Sequence, residues 1–375
     1  MPNEIYESQK VALRFSKAQF KDAARKIRHG CTGAEREDAI EKIQNFREVH
    51  LYPLMLMKNH LARASKKIDH EIIVARRLKR LPTIINKLER LTLDGIEANS
   101  IQLTRMQDIG GCRAIVKDLK QLNALKVRLE NSRSVHKITH ISNYLTPKES
   151  GYGGVHLIYS CFDDVDTSNA WRKTKIEIQL RTSLQHAWAT SLEIIDTLEN
   201  IDLKTSMDGH QHWRRFFHIA GMLVAHDEGA SILSSIQLHE YQKEILGLER
   251  SLSVISKLAK FSMGISATTE HIRKLSNRSQ LGMCLITLKM NEFINASPDS
   301  ENQVKIKLGV TAFNINEAQL ALSALNESEK DSSIALSVLL SASNASLLKK
   351  AYPNYFGSTQ QFSKFISKHT RTVIK

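Results

Sequence analysis

From Ser8 to about Lys67 the apolar positions Ile40, Ile43, Phe46 and Val49 recur every three or four residues among Ala, Lys, Glu and Gln, a spacing that predicts helices. Cys31-Thr32-Gly33 interrupts this pattern and Pro53 marks a helix start or kink, so two or three helices are expected. Between about Arg76 and Leu198 the period shortens. Cys112 to Val116, Gly154 to Cys161 and Lys175 to Leu180 are short β-branched or alternating runs that read as strands, with a helical stretch at Leu119 to Leu129. After about Met207 strand patterns largely vanish, and Leu238 to Leu258 and Ile315 to Leu348 return to long helical periodicity. The expected organisation is a helical segment over 1–67, an α+β domain around one sheet over 68–205, and an all-helical domain over 206–375.

Composition narrows the classes. A chain of 375 residues with 42% hydrophobic and 25% charged side chains has room for two or three folded domains, and is neither a disordered nor a fibrous sequence. Lys and Arg number 53 against 39 acids, and the resulting +14 favours anionic partners such as nucleotides, nucleic acid or acidic lipids. Four scattered cysteines without a C-x-x-C spacing indicate neither a zinc ribbon nor a disulfide framework, and point to a reducing compartment. The amino terminus has no signal-peptide pattern, and the apolar runs Ile219 to Ala225 and Ala335 to Leu348 fall short of the roughly 18 residues of a membrane span. The expectation is a cytoplasmic protein with no membrane partner.

Four local patterns could carry chemistry. Arg76 to Arg90 holds six basic residues and one acid, Glu89; Pro82 suits the first turn of a helix, on which Ile84, Leu88 and Leu91 form an apolar stripe and Thr83, Lys87 and Arg90 share another face. Asp108-Ile109-Gly110-Gly111-Cys112-Arg113 places an acid and two glycines at the mouth of a strand, where a carboxylate can hold Mg²⁺ beside a polyphosphate and glycines permit close backbone approach. Along Lys175 to Thr182, Ile176, Ile178 and Leu180 point one way and Glu177, Gln179 and Arg181 the other, a row suited to metal, hydroxyl and phosphate contacts. Lys148 to Tyr159 is a Gly-rich loop entering a strand, in which Tyr152 could stack on a base and His156 could donate to a phosphate. A helical His group, His210, His212, His218 and His226-Asp227, reads as surface or satisfied core side chains rather than a metal centre. Neither a P-loop nor a G-x-G-x-x-G pattern occurs.

In this order, basic helix, Asp-Ile-Gly-Gly-Cys-Arg strand, Gly-Tyr loop and Glu-Ile-Gln-Leu-Arg-Thr strand, followed by Leu184-Gln185-His186-Ala187-Trp188-Ala189-Thr190, the motifs resemble the RelA/SpoT synthetase domain over about Arg76 to Glu193. The resemblance implies a mixed-sheet, nucleotidyltransferase-like fold and a pyrophosphokinase that moves the β,γ-diphosphate of ATP to the ribose 3′-hydroxyl of a guanine nucleotide, GDP or GTP, making the alarmones ppGpp and pppGpp. By the same resemblance Arg77 and Arg113 would clamp the adenine, Lys79, Lys87 and Thr83 would bind the ATP phosphates, and Asp108 would hold Mg²⁺. Glu177 would help position the metal or take the proton of the attacking hydroxyl. Tyr152 would stack on the acceptor base, His156 would line its phosphates, and Gln179 and Arg181 would complete the polar face.

The sequence departs from the family in one place: Gly153 stands where the acceptor loop usually carries Arg or Lys, and Lys148 is the cation that could reach round instead. The acceptor therefore stays open between a guanine nucleotide and, as in toxic small synthetases of similar sequence, the 3′-end of tRNA. A non-catalytic nucleotide sensor is the alternative from another class. No alarmone-hydrolase domain is read before Arg76, and the C-terminal helices are expected to regulate, oligomerise or recruit a protein partner.

Overall fold

In the computed structural model the described residues are 7, 9–90, 100–163, 169–199, 201, 203, 210–259, 261, 281–290, 306–314, 317–331, 334–341 and 353–372. They fall into two compact units: Met1–Tyr144 with Gly154–Thr182, and Leu145–Gly153 with Ser183–Lys375.

The first unit opens with three helices, α1 (Lys17–Arg28), α2 (Gly33–Glu48) and α3 (Leu51–Lys66). The breaks fall at the glycine and proline positions marked by the sequence. Ser16 caps α1 in a reciprocal capping box with Gln19, satisfying two backbone donors at the helix start. Strand β1 (Ile73–Leu78), helix α4 (Leu81–Glu89), strand β2 (Gly110–Val116), helix α5 (Leu119–Glu130) and strands β3 (Lys137–Asn143), β4 (Val155–Ser160) and β5 (Lys175–Thr182) follow. The sheet order is β1-β2-β5-β4-β3. Only the β2–β5 pair is parallel; the others are antiparallel, so the sheet is mixed.

One face of this sheet is apolar and packed. Ile176, Ile178 and Leu180 are each fully buried, as are Val155 and Leu157. Cys112 Sγ lies 3.8 Å from the Leu54 carbonyl of α3, and the His60 ring of α3 meets Tyr159 edge-on. Gly110 lets α3 come close: a Cβ there would sit 2.6 Å from Ile176 Cδ1 and 3.6 Å from His50 Cβ. The close approach this glycine permits is thus a helix on the sheet rather than a ligand. Burial lowers the His50 pKa to about 4 and raises the Cys112 thiol to about 12, so both are neutral packing groups.

Two strands have no counterpart in the sequence reading. Ile73–Leu78 carries two consecutive arginines, and Lys137–Asn143 mixes Lys, Thr, His and Ser with its isoleucines, so neither shows a clean apolar alternation. Both are the outer strands of the sheet, where one lateral neighbour and partial exposure relax the need for hydrophobic side chains.

The second unit contains α6 (Ser183–Leu198), α7 (Gln211–Asp227), α8 (Ser235–Leu252), β6 (Leu281–Met290), β7 (Ile306–Asn314), α9 (Ala318–Lys330), β8 (Ile334–Ser341) and α10 (Pro353–Thr372). Helices α6, α7, α8 and α10 share a core that includes Trp188, Trp213, Phe216, Phe217 and Phe362. The rings of Phe217 and Phe362 stack at 6.1 Å.

The expectation of an all-helical C-terminal domain is corrected here. Strands β7-β6-β8 form an antiparallel sheet in that order. The run Ile334 to Ser341 was read as part of a long helix, and it is strand. A short, mostly apolar run, interrupted here only by Ser337 before Ser341, has no period that separates strand from helix, so pairing partners distant in sequence decide it. Ile315, Asn316 and residues 332–333 and 342–348 of that predicted helix lie outside the described residues, as does Leu91 of the predicted apolar stripe.

Candidate active site

The polar face of the first unit's sheet carries most of the expected residues. Register puts Arg77 opposite Gly111, and Gly111 opposite Glu177; one step along, Ala75, Arg113, Gln179 and His156 share a row. Because side chains alternate, Arg77, Arg113, Glu177, Gln179 and His156 project from one face, the opposite one to Ile176 and Ile178. Gly111 adds no side chain between Arg77 and Glu177, which leaves the centre of that row open.

Asp108 sits just before β2, and its carboxylate is gripped by two cations. Lys79 Nζ is 2.6 Å from Oδ2, and Lys87 Nζ is 3.2 Å from both oxygens. Lys79 follows β1 directly and is fixed through its own backbone: its N–H donates to the Ile109 carbonyl at 2.7 Å, and its carbonyl accepts from Arg47 Nε at 2.7 Å. Lys87 reaches in from α4, whose first turn contains Pro82 as the sequence indicated. Thr83 lies one turn before Lys87 and shares its side of the helix.

These surroundings set the ionisation. Burial works against the Asp108 carboxylate, but Lys79 and Lys87 outweigh it and hold the pKa below the ordinary value. Burial lowers the Lys79 pKa, with Asp108 opposing and the charges of Lys87 and Arg77 adding to the fall.

Glu177 is the second carboxylate. Burial again opposes its charge, but His156 Nδ1 at 2.8 Å and Gln179 Nε2 at 2.8 Å keep its pKa below the ordinary value, while the Asp108 charge is near enough to push it up. Gln179 in turn accepts from Arg113 Nε and Nη2, both at 3.3 Å. Tyr144 meets the His156 ring edge-on at 5.4 Å. Tyr144, His156, Glu177, Gln179 and Arg113 therefore form one connected polar row. Arg181 follows on the same alternation but is only 5% exposed, so far less of it is presented than of Gln179.

The structure does not gather all twelve expected residues in one unit. Tyr152 and Lys148 belong to the loop Leu145–Gly153 of the second unit. Tyr152 packs there against Trp188, with ring centroids 6.2 Å apart. The sequence missed Arg47, Tyr144 and Trp188 in these supporting parts. Arg47 is a buried arginine on a helix, and no periodic signal separates it from a solvated one; Trp188 lies inside a quoted motif, but its partner is 36 residues back along the chain.

Asp227 binds Lys368 and His369 rather than His226, and His218 Nδ1 lies 2.7 Å from the Glu149 carbonyl. Among the described residues no three His, Cys, Asp or Glu side chains are placed to hold a metal ion. No described helix is long and apolar enough to cross a membrane.

A mixed sheet with one packed face, and on the other two ionised carboxylates set among arginines and lysines, defines a domain suited to an anionic ligand that brings its own counter-ion. Residues 76–194, about a third of the chain, match the family model described as a region found in RelA / SpoT proteins. GTP pyrophosphokinase YwaC of Bacillus subtilis is 27% identical over 141 residues, which is 37% of this chain and 63% of the relative's length. This chain therefore spans less than two thirds of that curated relative. Among solved structures, small alarmone synthetase 1 of Bacillus subtilis bound to its product pppGpp is 22% identical, with a TM-score of 0.37, covering 48% of this chain and 92% of that one. Small alarmone synthetase 2 of the same organism gives 22% identity and a TM-score of 0.39, over 50% and 94% of the two chains.

Proposed function

We propose that this chain is a Mg²⁺-dependent pyrophosphokinase that transfers the β,γ-diphosphate of ATP to the 3′-hydroxyl of GDP or GTP, giving AMP and ppGpp or pppGpp. One observation supports this most: Asp108, held ionised by Lys79 and Lys87, is within electrostatic reach of Glu177, itself held ionised by His156 and Gln179, on a face that also presents Arg77 and Arg113.

In this reading Arg77 and Arg113 take the adenine between their guanidinium planes. They are diagonal neighbours across the β1–β2 pair, about 7–8 Å apart in backbone position. That span is about twice the ~3.5–4 Å contact distance of stacked groups, and so admits one ring. Lys79, Lys87 and Thr83 bind the triphosphate. In the first unit His156, Gln179 and Arg181 are assigned to the acceptor's phosphates and ribose; the family resemblance, rather than any placement of one unit against the other, assigns Tyr152 to the acceptor base and Lys148 to its phosphates.

The donor set fits magnesium. Mg²⁺ retains several waters and is bound through one or two carboxylates plus substrate phosphates, so Asp108 and Glu177 are sufficient protein ligands. When bound, the ion would neutralise charge on the β- and γ-phosphates. The acceptor 3′-oxygen attacks the β-phosphorus, the bond from that phosphorus to the oxygen bridging to the α-phosphate breaks, and AMP leaves with that oxygen. Glu177 takes the 3′-hydroxyl proton. Lys79 and Lys87 then serve the triphosphate as well as Asp108, offsetting the repulsion that two polyphosphates would otherwise feel.

The test is incubation with Mg²⁺, ATP labelled at the β-phosphate, and GDP, GTP or tRNA in separate reactions. AMP release with label in GDP or GTP is expected, and Asp108→Ala and Glu177→Ala should each abolish both. Label in tRNA alone would replace the proposed acceptor, and no AMP with any acceptor would refute the enzymatic reading.

A further inference from the structure

We propose that helix α7 is the seat of the acceptor loop and that Gly221 and His218 are positioning residues for acceptor binding, acting through Tyr152; this rests on the reading of Tyr152 as the acceptor's stacking partner. Neither residue touches a reacting atom.

The loop Leu145–Gly153 and α7 interlock at two glycines. Gly151 has φ +86°, a conformation costly for any residue with a Cβ, and a Cβ there would lie 2.3 Å from the Phe217 carbonyl oxygen. On the helix side, a Cβ at Gly221 would lie 2.0 Å from the Gly151 carbonyl oxygen and 2.6 Å from its Cα. The two backbones are therefore in direct contact, one residue before Tyr152. Two polar contacts fix the register of this packing. His218 Nδ1 lies 2.7 Å from the Glu149 carbonyl, and Trp188 Nε1 donates to the Phe217 carbonyl at 2.9 Å. Trp188 also meets Tyr152 and Phe217 edge-on. A small gap of about 10 Å³, lined by Gly151, Trp188 and Gly221 among others, remains in this packing.

The chemical consequence is selective. Stacking on a base requires Tyr152 to be held at one height and tilt, and displacement of such a group by about 1 Å can cost about 100-fold in rate. Arg77, Lys79, Lys87 and Arg113 stand on other elements with their own supports, so the ATP-binding steps should not follow α7.

Three variants test this. Gly221→Ala should raise the acceptor KM about 10-fold or more with the ATP KM within about twofold of wild type. His218→Ala removes the contact with the Glu149 carbonyl and the edge-on meeting with Tyr241 at 6.4 Å from a half-buried side chain, so it should still fold, at a slightly lower melting temperature; its acceptor KM should rise about 2- to 10-fold. His218→Gln keeps a side-chain donor and should restore most of that loss. Hydrogen exchange at the amides of 148–152 gives a readout independent of turnover, and it should accelerate in His218→Ala. If Gly221→Ala does not fold, His218→Ala and the exchange measurement decide. Unchanged acceptor KM in the folded variants, or acceptor and ATP constants rising in parallel, would overturn the proposal. Wild-type protein without turnover would defeat the function proposed above, while unaltered exchange in His218→Ala would defeat the seat itself.

Discussion

Asp108→Asn separates what the Asp108 carboxylate does for the fold from what it does for chemistry. The substitution keeps shape and an accepting oxygen but removes the charge that Lys79 and Lys87 grip at 2.6 and 3.2 Å. A hydrogen bond to a charged partner contributes about 1.5–3 kcal/mol. Here the three side chains retain 15%, 28% and 28% of their exposure, in the order Lys79, Lys87, Asp108, so water recovers part of what each contact supplies. The net expectation is a loss of about 1–3 kcal/mol at pH 7, read by equilibrium urea unfolding. Part of it should return at about 0.5 M salt, where repulsion among the uncompensated cations is screened. The pH dependence has a definite sign. The folded-state pKa of Asp108 lies below its unfolded value, so the contribution is complete above about pH 4 and drains away as pH falls through the lowered value. The gap between wild type and variant should thus be constant from pH 7 to 5 and close below pH 4. A variant as stable as wild type at pH 7, or a gap that persists unchanged at pH 3, would refute the clamp.

Glu177→Gln should lower AMP formation by about 10²- to 10⁴-fold with little change in the ATP KM, because it removes a proton acceptor and leaves Arg77 and Arg113 in place; steady-state kinetics with ATP and GDP checks this. Arg113→Lys retains charge but loses the planar fork that meets Gln179 twice, and should weaken ATP binding about tenfold in titration calorimetry. Gly110→Ala and Gly111→Ala form a contrast on adjacent residues. The first drives a methyl against fully buried Ile176 and should cost about 1–3 kcal/mol in urea unfolding, whereas the second meets nothing closer than 3.9 Å and should stay within about 0.5 kcal/mol of wild type. In the second unit, Asp227 has its pKa lowered to about 2: burial opposes the charge but His369 and Lys368 prevail. Its contribution is present above about pH 4 and lost toward pH 2, so Asp227→Asn should lower the melting temperature at pH 7 and not at pH 2.

The separation of the proposed chemistry between three strands and a helix explains why mutation of one cation should be milder than mutation of one acid. In the proposed reaction Arg77, Lys79, Lys87 and Arg113 would share the attraction of one anionic ligand, so the loss of any one would be partly covered by the others. Asp108 and Glu177 have no such redundancy in the proposed reaction, since each holds a separate set of partners. The same logic places Arg47 above its apparent rank: it fixes the Lys79 carbonyl, and Lys79 is the cation nearest Asp108.

Much of the first unit was legible as sequence because its signals are local. Alternation along Lys175 to Thr182 correctly divides Ile176, Ile178 and Leu180 from Glu177 and Gln179, since a strand's two faces follow from its period alone. The helix breaks at Cys31 to Gly33 and near Pro53, and the opening of α4 at Pro82, follow from backbone restrictions that need no neighbour. Candidate side chains could likewise be named one by one, because a carboxylate, a guanidinium and a glycine have fixed chemistry wherever they lie.

What the chain could not reveal by itself depends on partners remote in sequence. That Asp108 is met by Lys79 and Lys87, and Glu177 by His156, is decided by strand pairing and by how α4 packs. Strands β6, β7 and β8 look helical or featureless until each is laid beside another, because an apolar run acquires a conformation only from what covers and pairs it. The two glycines that lock the loop to α7 are 70 positions apart, and their meaning exists only in the 2.0 Å that would separate a methyl from a carbonyl. Residue types set the chemistry this protein can offer; long-range packing set which groups meet, and therefore their charge, reach and order.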